Sequence, residues 1–243
     1  MAVVRKIPVE VVEIISFSEN VRQYRLKPLK RGIRFKPGQF LHFAIDAYDP
    51  SSNWPESRVF SIANSPTRTE YIDILVSKIG EFTSKMFNTL QIGDEAWVKL
   101  PYGIFNFDES LEKDTVLIAG GTGVSPFISF LQHAIDKDLN PAIHLNYGVR
   151  NTDMLIIPDL VKEAKQKLPN FNYKIHVEDE INNNFGLKLE SGQLPVSEIV
   201  EKSLALNDAV YYLSGPPAMI IAFDNELKAK GVAQNNIKYD NWE

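Results

Sequence analysis

The chain has no cysteine. These residues therefore supply no disulfide, no thiolate nucleophile, no cysteine-ligated zinc and no iron–sulfur cluster bound in the usual way. Nor does any stretch approach the roughly 20 apolar residues that cross a bilayer. The opening residues, Met1-Ala-Val-Val-Arg-Lys-Ile-Pro8, lack the apolar core of a signal peptide. A cytoplasmic location and no membrane span are the resulting expectations. Histidine is scarce, at positions 42, 133, 144 and 176 only, without metal-ligand spacing. Core or surface roles are expected for all four, and no metal site. Basic charge is in deficit, 26 Lys+Arg against 31 Asp+Glu in 243 residues, a net −5. With no recognisable binding motif, that deficit argues against nucleic acid as a partner. No serine sits in a nucleophile-elbow context, so hydrolase chemistry has no support. Redox or group-transfer chemistry here must use a bound organic cofactor or the remaining side chains.

What is present divides into two textures. Residues 1–108 carry 14 basic and 12 acidic side chains, and residues 109–243 carry 12 and 19. The first part alternates apolar and polar residues in short runs, as in Val9–Phe17, Val21–Leu26, Gln39–Ile45, Tyr71–Val76 and Ala96–Leu100. Turn residues separate the runs, and one helix is expected from about Phe82 to Leu90. Short strands at this spacing predict an antiparallel sandwich or barrel. The second part begins with a continuous apolar run, Thr115–Ala119, as expected of a strand buried on both faces. Strands at Ala142–Tyr147, Tyr173–Val177 and Ala209–Leu213 then alternate with helices near 158–168, 196–204 and 217–230. That order predicts βαβ units on a parallel sheet of five strands. The boundary is expected in the polar, acidic segment Asn106–Asp114, giving domains 1–108 and 109–243.

Three short motifs carry chemistry. Gly120-Gly121-Thr122-Gly123-Val124-Ser125-Pro126 joins a buried strand to a helix. Its backbone N–H groups and the helix N-terminus suit a phosphate, although a plain tight turn explains the same residues. Ser214-Gly215-Pro216-Pro217-Ala218-Met219 repeats the strand–turn–helix order, so both turns belong on the carboxyl edge of the sheet. Two small-residue turns on one edge suit a long flat ligand; a Gly-Pro helix entry is the alternative. In Arg58-Val-Phe60-Ser61 a guanidinium for a diphosphate stands beside a ring for stacking, and an ordinary strand explains it equally well.

In order along the chain, Arg58-x-Phe60-Ser61, Gly80-Glu81-Phe82-Thr83-Ser84, Pro101-Tyr102-Gly103-Ile104-Phe105, Gly121-Thr122-Gly123-x-x-Pro126 and Gly215-Pro216-Pro217-x-Met219 resemble the ferredoxin–NADP reductase superfamily. Pro37-Gly38-Gln39-Phe40 is similar to that family's signature before its third strand. Pro-Tyr-Gly-x-Phe is similar to the bacterial oxygenase-reductase branch, in which an iron–sulfur domain is often fused to this module, and no such domain is expected within these residues. The resemblance implies an antiparallel flavin-binding β-barrel followed by a five-stranded parallel α/β nucleotide-binding domain. It implies FAD, with FMN as the alternative, and hydride transfer from a nicotinamide to the flavin. Arg58 would bind the diphosphate, Phe60 would pack on the isoalloxazine, and Ser61 would bond near its N5. Gly80, Thr83 and Ser84 would hold phosphate at a helix start. Gly121, Thr122 and Gly123 would line the nicotinamide nucleotide, with Gly215, Pro216 and Met219 opposite. Trp242 resembles the family's late aromatic that can cover the outer flavin face, and a tryptophan packing the chain end against the barrel is the alternative. Ser61 and Ser214 would align the hydride path. Phe60 stands where the family usually has Tyr, Ser214 where it has Cys and Leu100 where Gly is common. The second change implies slower hydride transfer.

After Tyr147 the chain offers Arg150, with Lys162 the next basic residue and Asp153 between them. A 2′-phosphate needs charge-assisted donors, so NADH is favoured over NADPH. The acid-free run from Arg22 to Lys36, with seven cations, reads either as a solvated strand pair or as a docking surface for an acidic partner. A ferredoxin, a flavodoxin or an oxygenase component is the expected acceptor. Two rivals are a free-flavin reductase and a poorly catalytic nucleotide-sensing subunit. Glu178-Asp179-Glu180 reads as a solvated loop.

Overall fold

A computed structural model describes residues 3–30, 33–110 and 113–240. Six strands, β1 (Arg5–Ser18), β2 (Val21–Pro28), β3 (Phe40–Ala44), β4 (Arg58–Ser61), β5 (Ile72–Ser77) and β6 (Glu95–Tyr102), form an antiparallel sheet ordered β4-β3-β6-β1-β2-β5. An antiparallel bridge from Ile62 to Ile74 brings its two edges together, so the sheet curls into a nearly closed barrel. The alternation seen in the sequence drives the curl. Ile7, Val9 and Val11 of β1 point inward while Lys6, Pro8 and Glu10 point outward. Helix α1 (Glu81–Thr89) sets Phe82, Met86 and Phe87 on one face, and that face packs into the barrel core.

The second sheet is entirely parallel. It comprises β7 (Thr115–Gly120), β8 (Ile143–Val149), β9 (Phe171–Val177), β10 (Glu190–Ser191), β11 (Val210–Ser214) and β12 (Ile237–Tyr239), in the order β10-β9-β8-β7-β11-β12. It therefore has six strands where five are expected. The strands that no located run foreshadows are the edges β10 and β12, two and three residues long, too short for any period to show. Helices α2 (Ser125–Asp136) and α3 (Pro158–Lys167) pack on one face of the sheet, with α4 (Val196–Ser203) and α5 (Pro217–Ala229) on the other. Chain order reverses between β7 and β11, which makes their carboxyl ends the switch point where open α/β sheets hold ligands.

The two sheets meet in one aromatic cluster. Phe105 and Phe107, beyond β6, pack with Phe127 and Phe130 of α2 and Tyr212 of β11, ring centroids lying 5.2 to 6.1 Å apart. The Tyr212 hydroxyl donates to the Asn106 carbonyl at 3.0 Å. Gly38, with φ +89°, lies beneath this cluster, where a Cβ would stand 2.0 Å from the Phe105 carbonyl oxygen. The Pro37-Gly-Gln-Phe40 and Pro101-Tyr-Gly-Ile-Phe105 motifs thus join the two halves: Gln39 donates to the Gly103 carbonyl at 3.1 Å.

Candidate functional site

Between barrel and α/β sheet runs a cleft of about 790 Å³, within the range of small-molecule sites. Strand β4 ends at its floor with Phe60 and Ser61. Strict alternation puts these two on opposite faces, yet both line the cleft because the strand stops there. The Phe60 ring is backed edge-on by Phe43 at 6.3 Å. Gly120–Gly123 and Ser125 form one rim, and Ser214–Pro217 another, each closing a parallel strand as expected. The two turns almost touch: a Cβ on Gly123 would lie 2.4 Å from the Ser214 carbonyl oxygen and 2.5 Å from Gly215 Cα. Only glycine permits that approach. Leu75, Ile79, Met154, Ile220 and Ile221 supply apolar walls, with Ile79 and Ile221 87 % and 58 % exposed. Ser77 of β5 and Thr122 of the nucleotide turn share a hydrogen bond of 2.9 Å across the cleft.

Residue pairing at the floor exceeds what the motifs announce. Ser61 donates to Asp240 Oδ2 at 3.1 Å, and Ser214 donates to the same oxygen at 3.0 Å. Asp240 is 9 % exposed and lies just past β12, its N–H bonded to the Leu213 carbonyl at 3.0 Å. Sequence reading missed it, because a three-residue strand has no periodic signal. A carboxylate in the terminal Tyr239-Asp-Asn-Trp segment was the available clue.

Other candidates sit elsewhere. Arg58 is half-exposed, pairs with Glu56 Oε1 at 2.9 Å and the Ser57 carbonyl at 2.9 Å, and lies 5.0 Å over the Phe82 ring. It is thus beside the first turn of α1 and not among the cleft-lining residues. Thr83 differs from expectation: its hydroxyl accepts from the Ile79 and Gly80 N–H groups, capping its own helix, so its side chain is not free for phosphate. Gly80 and Ser84 share that turn, Ser84 N–H bonding to the Gly80 carbonyl. Met219 departs too. It packs against the Gly120 backbone and the α5-side core, while Ile220 and Ile221 face the cleft. Arg150 is exposed at the end of β8, and Asp153 follows it in a short turn capped by Asn151. Trp242 lies outside the described residues.

Three histidines outside the cleft lining are shifted. Burial pushes His144 and His176 below the ordinary histidine range, opposed by the Asp114 and Glu190 carboxylates respectively. Burial and then Lys99 do the same to His42. Among the described residues no three His, Asp or Glu side chains gather as for a metal ion.

The residues present fit a flavin and a nicotinamide nucleotide: a ring-faced floor, apolar walls and two turns stripped of Cβ atoms meet in one cleft. Residues 8–107 match the family model for the oxidoreductase FAD-binding domain, and residues 117–225 that for the oxidoreductase NAD-binding domain. The chain belongs to the ferredoxin–NADP reductase superfamily. It joins an oxidoreductase FAD-binding domain to an oxidoreductase NAD-binding domain. It is 27 % identical over 243 residues to the propane 2-monooxygenase reductase component of Rhodococcus jostii, covering 98 % of this chain and 64 % of that one. It is 27 % identical over 232 residues to the flavohemoprotein of Rhizobium meliloti, covering 92 % and 57 %. The chain thus spans less than two thirds of the length of either relative. The crystal structure of an Amycolatopsis cytochrome P450 reductase superposes with a TM-score of 0.83 at 23 % identity, covering 98 % of this chain and 70 % of that one. Among superfamily features, the Arg58 and Gly80–Ser84 segments lie together at one corner of the barrel, and the two glycine-bearing turns lie together at the sheet edge. No helix among the described residues is long and apolar enough to cross a membrane.

Proposed function

We propose that this protein accepts a hydride from NADH onto FAD in the cleft and passes the electrons to an acidic acceptor protein, a ferredoxin, a flavodoxin or an oxygenase component. Residues 1–108 hold the flavin in this reading, and 109–243 hold the nucleotide. The observation that carries it is the meeting of Phe60, Ser61, Gly121–Gly123 and Ser214–Pro216 around one cavity. Bound there, the flavin supplies two-electron acceptance from nicotinamide and onward one-electron release. The chain's own task is placement, since reacting atoms must stand about 3–3.5 Å apart with their orbitals aligned.

Each residue has a share in that placement. Phe60 packs on one face of the isoalloxazine, held at its angle by Phe43. Arg58 and the first N–H groups of α1 meet the diphosphate, the helix N-terminus favouring negative charge. Gly121, Thr122 and Gly123 admit the nicotinamide nucleotide against backbone N–H groups, with Gly215 and Pro216 opposite. Ser61 and Ser214 are the catalytic residues, aligning the hydride path with hydroxyls fixed by Asp240. Arg150 is the cation on the loop after β8, exposed Asp153 repels a 2′-phosphate, and Lys162 is occupied by Asp159 at 2.7 Å. Those three facts support NADH over NADPH.

The names of the relatives support a separate acceptor. The basic run contributes less than its length suggests. Arg22 donates to the Phe87 carbonyl and stacks on that ring, and Arg25 is held by Asp73 and Glu13. Lys27, Lys30, Arg34 and Lys36 remain exposed for an acidic surface, and Arg31 lies outside the described residues. An absorbance spectrum of purified protein before and after anaerobic NADH tests the proposal. Bleaching of a flavin band is the expected result; a protein that takes up FAD but does not bleach overturns it.

One observation favours the second reading, a free-flavin reductase. Arg58 is already paired with Glu56, which weakens its hold on a diphosphate. Protein that emerges colourless yet turns over added flavin supports that reading.

A further inference from the structure

The loop that follows β4 is tied to one face of α2 by polar bonds. Ser129 Oγ donates to the Asn64 carbonyl at 2.7 Å, and the Ser65 N–H donates to Gln132 Oε1 at 3.0 Å. One turn further, Arg68 Nε and Nη2 donate to the two oxygens of Asp136 at 2.9 and 2.7 Å, and the Thr67 hydroxyl donates to the same carboxylate. Ser129, Gln132 and Asp136 share a helix face at spacings of three and four. The loop is braced internally, for the buried Asn64 amide donates to the Ser65, Arg68 and Tyr71 carbonyls and accepts from the Asp73 N–H.

We propose that Arg68 and Asp136 are positioning residues whose paired ends lock α2 against the loop after β4, setting the distance and angle between the flavin floor and the nicotinamide turn. The leverage is short. Asn64 stands four residues beyond Phe60, and α2 begins directly after the Gly121–Val124 turn. The aromatic cluster and the Tyr212–Asn106 hydrogen bond hold the first turns of α2, and the Arg68–Asp136 pair adds a tie at the far end of that helix. A bidentate guanidinium–carboxylate pair fixes orientation as well as distance. The Arg68 end of the pair is half-exposed, so its removal is expected to leave a folded protein. Its effect falls on alignment, where a 1 Å displacement costs on the order of a hundredfold in rate.

This inference rests on the cleft being a hydride-transfer site, and the test separates the two. Asp136→Asn and Arg68→Met proteins loaded with FAD are mixed anaerobically with saturating NADH, and flavin bleaching is followed by stopped flow. Bleaching about tenfold slower is expected, with flavin content and NADH half-saturation within about twofold of the unaltered protein. The long-wavelength charge-transfer absorbance of reduced protein with NAD⁺ falls in parallel. Reversing the pair, Arg68→Asp with Asp136→Arg, restores most of the rate. Reoxidation of dithionite-reduced flavin by ferricyanide, which needs no nucleotide, stays unchanged. Bleaching within twofold of the unaltered rate overturns the proposal, as does an equal loss in the ferricyanide step. Should either variant fail to fold, Gln132→Ala removes a neighbouring tie and is expected to slow bleaching about threefold; an unchanged rate there overturns the proposal equally. Failure of the unaltered protein to bleach refutes the reading of the cleft itself, whatever the variants do.

Discussion

Ser61 on β4 and Ser214 on β11 direct their hydroxyls to a single oxygen, Asp240 Oδ2, at 3.1 and 3.0 Å. One comes from the antiparallel barrel and the other from the parallel sheet, so the carboxylate joins the two halves of the cleft at its floor. A buried hydrogen bond to a charged group contributes about 1.5–3 kcal/mol, and a buried polar group left without its partner costs about 1–3 kcal/mol.

Asp240→Ala strands both hydroxyls, whereas Asp240→Asn keeps an acceptor oxygen and loses only the charge. The expected order of NADH-driven flavin bleaching is unaltered protein, then Asn, then Ala, with Ala slower by about ten- to a hundredfold. Stopped-flow absorbance at saturating NADH checks this. Equal rates in all three would remove Asp240 from the site.

Arg58→Ala should loosen FAD by about ten- to a hundredfold, the worth of one or two charge-assisted bonds. Glu56→Gln releases the competing partner 2.9 Å from the guanidinium and should tighten FAD. Fluorescence titration of flavin-free protein measures both. If neither change moves the dissociation constant, Arg58 does not meet the diphosphate.

Gly123→Ala drives a methyl into the Ser214 carbonyl and Gly215 Cα, neither of which belongs to a flexible side chain. The two turns must part, so NADH binding is expected to weaken at least tenfold while flavin content holds, since the barrel is untouched. A titration with NAD⁺ that matches the unaltered protein would contradict the close approach of the turns.

Stability should fall as pH drops from about 7 to 5. Burial disfavours the charged forms of His42, His144 and His176, so each carries a folded-state value below 6.5. The unfolded chain then takes up protons first, and stability present above about 6.5 is lost as pH falls towards the folded values. Asp136 behaves differently. Burial raises its carboxyl, but hydrogen bonds from Arg68 and Thr67 outweigh burial and hold it below the usual range. Its contribution persists until pH falls below about 4. Urea midpoints at pH 7.5 and 5.5 check the histidine term, and the triple His→Gln protein should show a flatter profile.

Several elements are legible in the sequence alone. The continuous run Thr115–Ala119 is β7, the glycine turn follows it as expected, and the alternating runs are barrel strands. Each of these signals is local, repeating every 2 or 3.6 residues within one segment. The short edges β10 and β12 gave no such signal. Nor did Thr83, whose hydroxyl serves its own helix, or Met219, which turns into the core behind Gly120.

Residue order by itself determined two textures, a barrel followed by a parallel sheet, and placed Phe60, Ser61 and Ser214 at strand ends and Thr122 in the turn after one. Only the tertiary structure decided that Asp240 gathers the two serines, that Arg68 closes on Asp136, and that Arg25 is neutralised by Asp73 and Glu13. The reason is one of range. Periodicity and turn chemistry act over a few bonds along the chain, whereas these pairs span tens to hundreds of residues. Such partners meet only after both sheets have packed on their shared aromatic core.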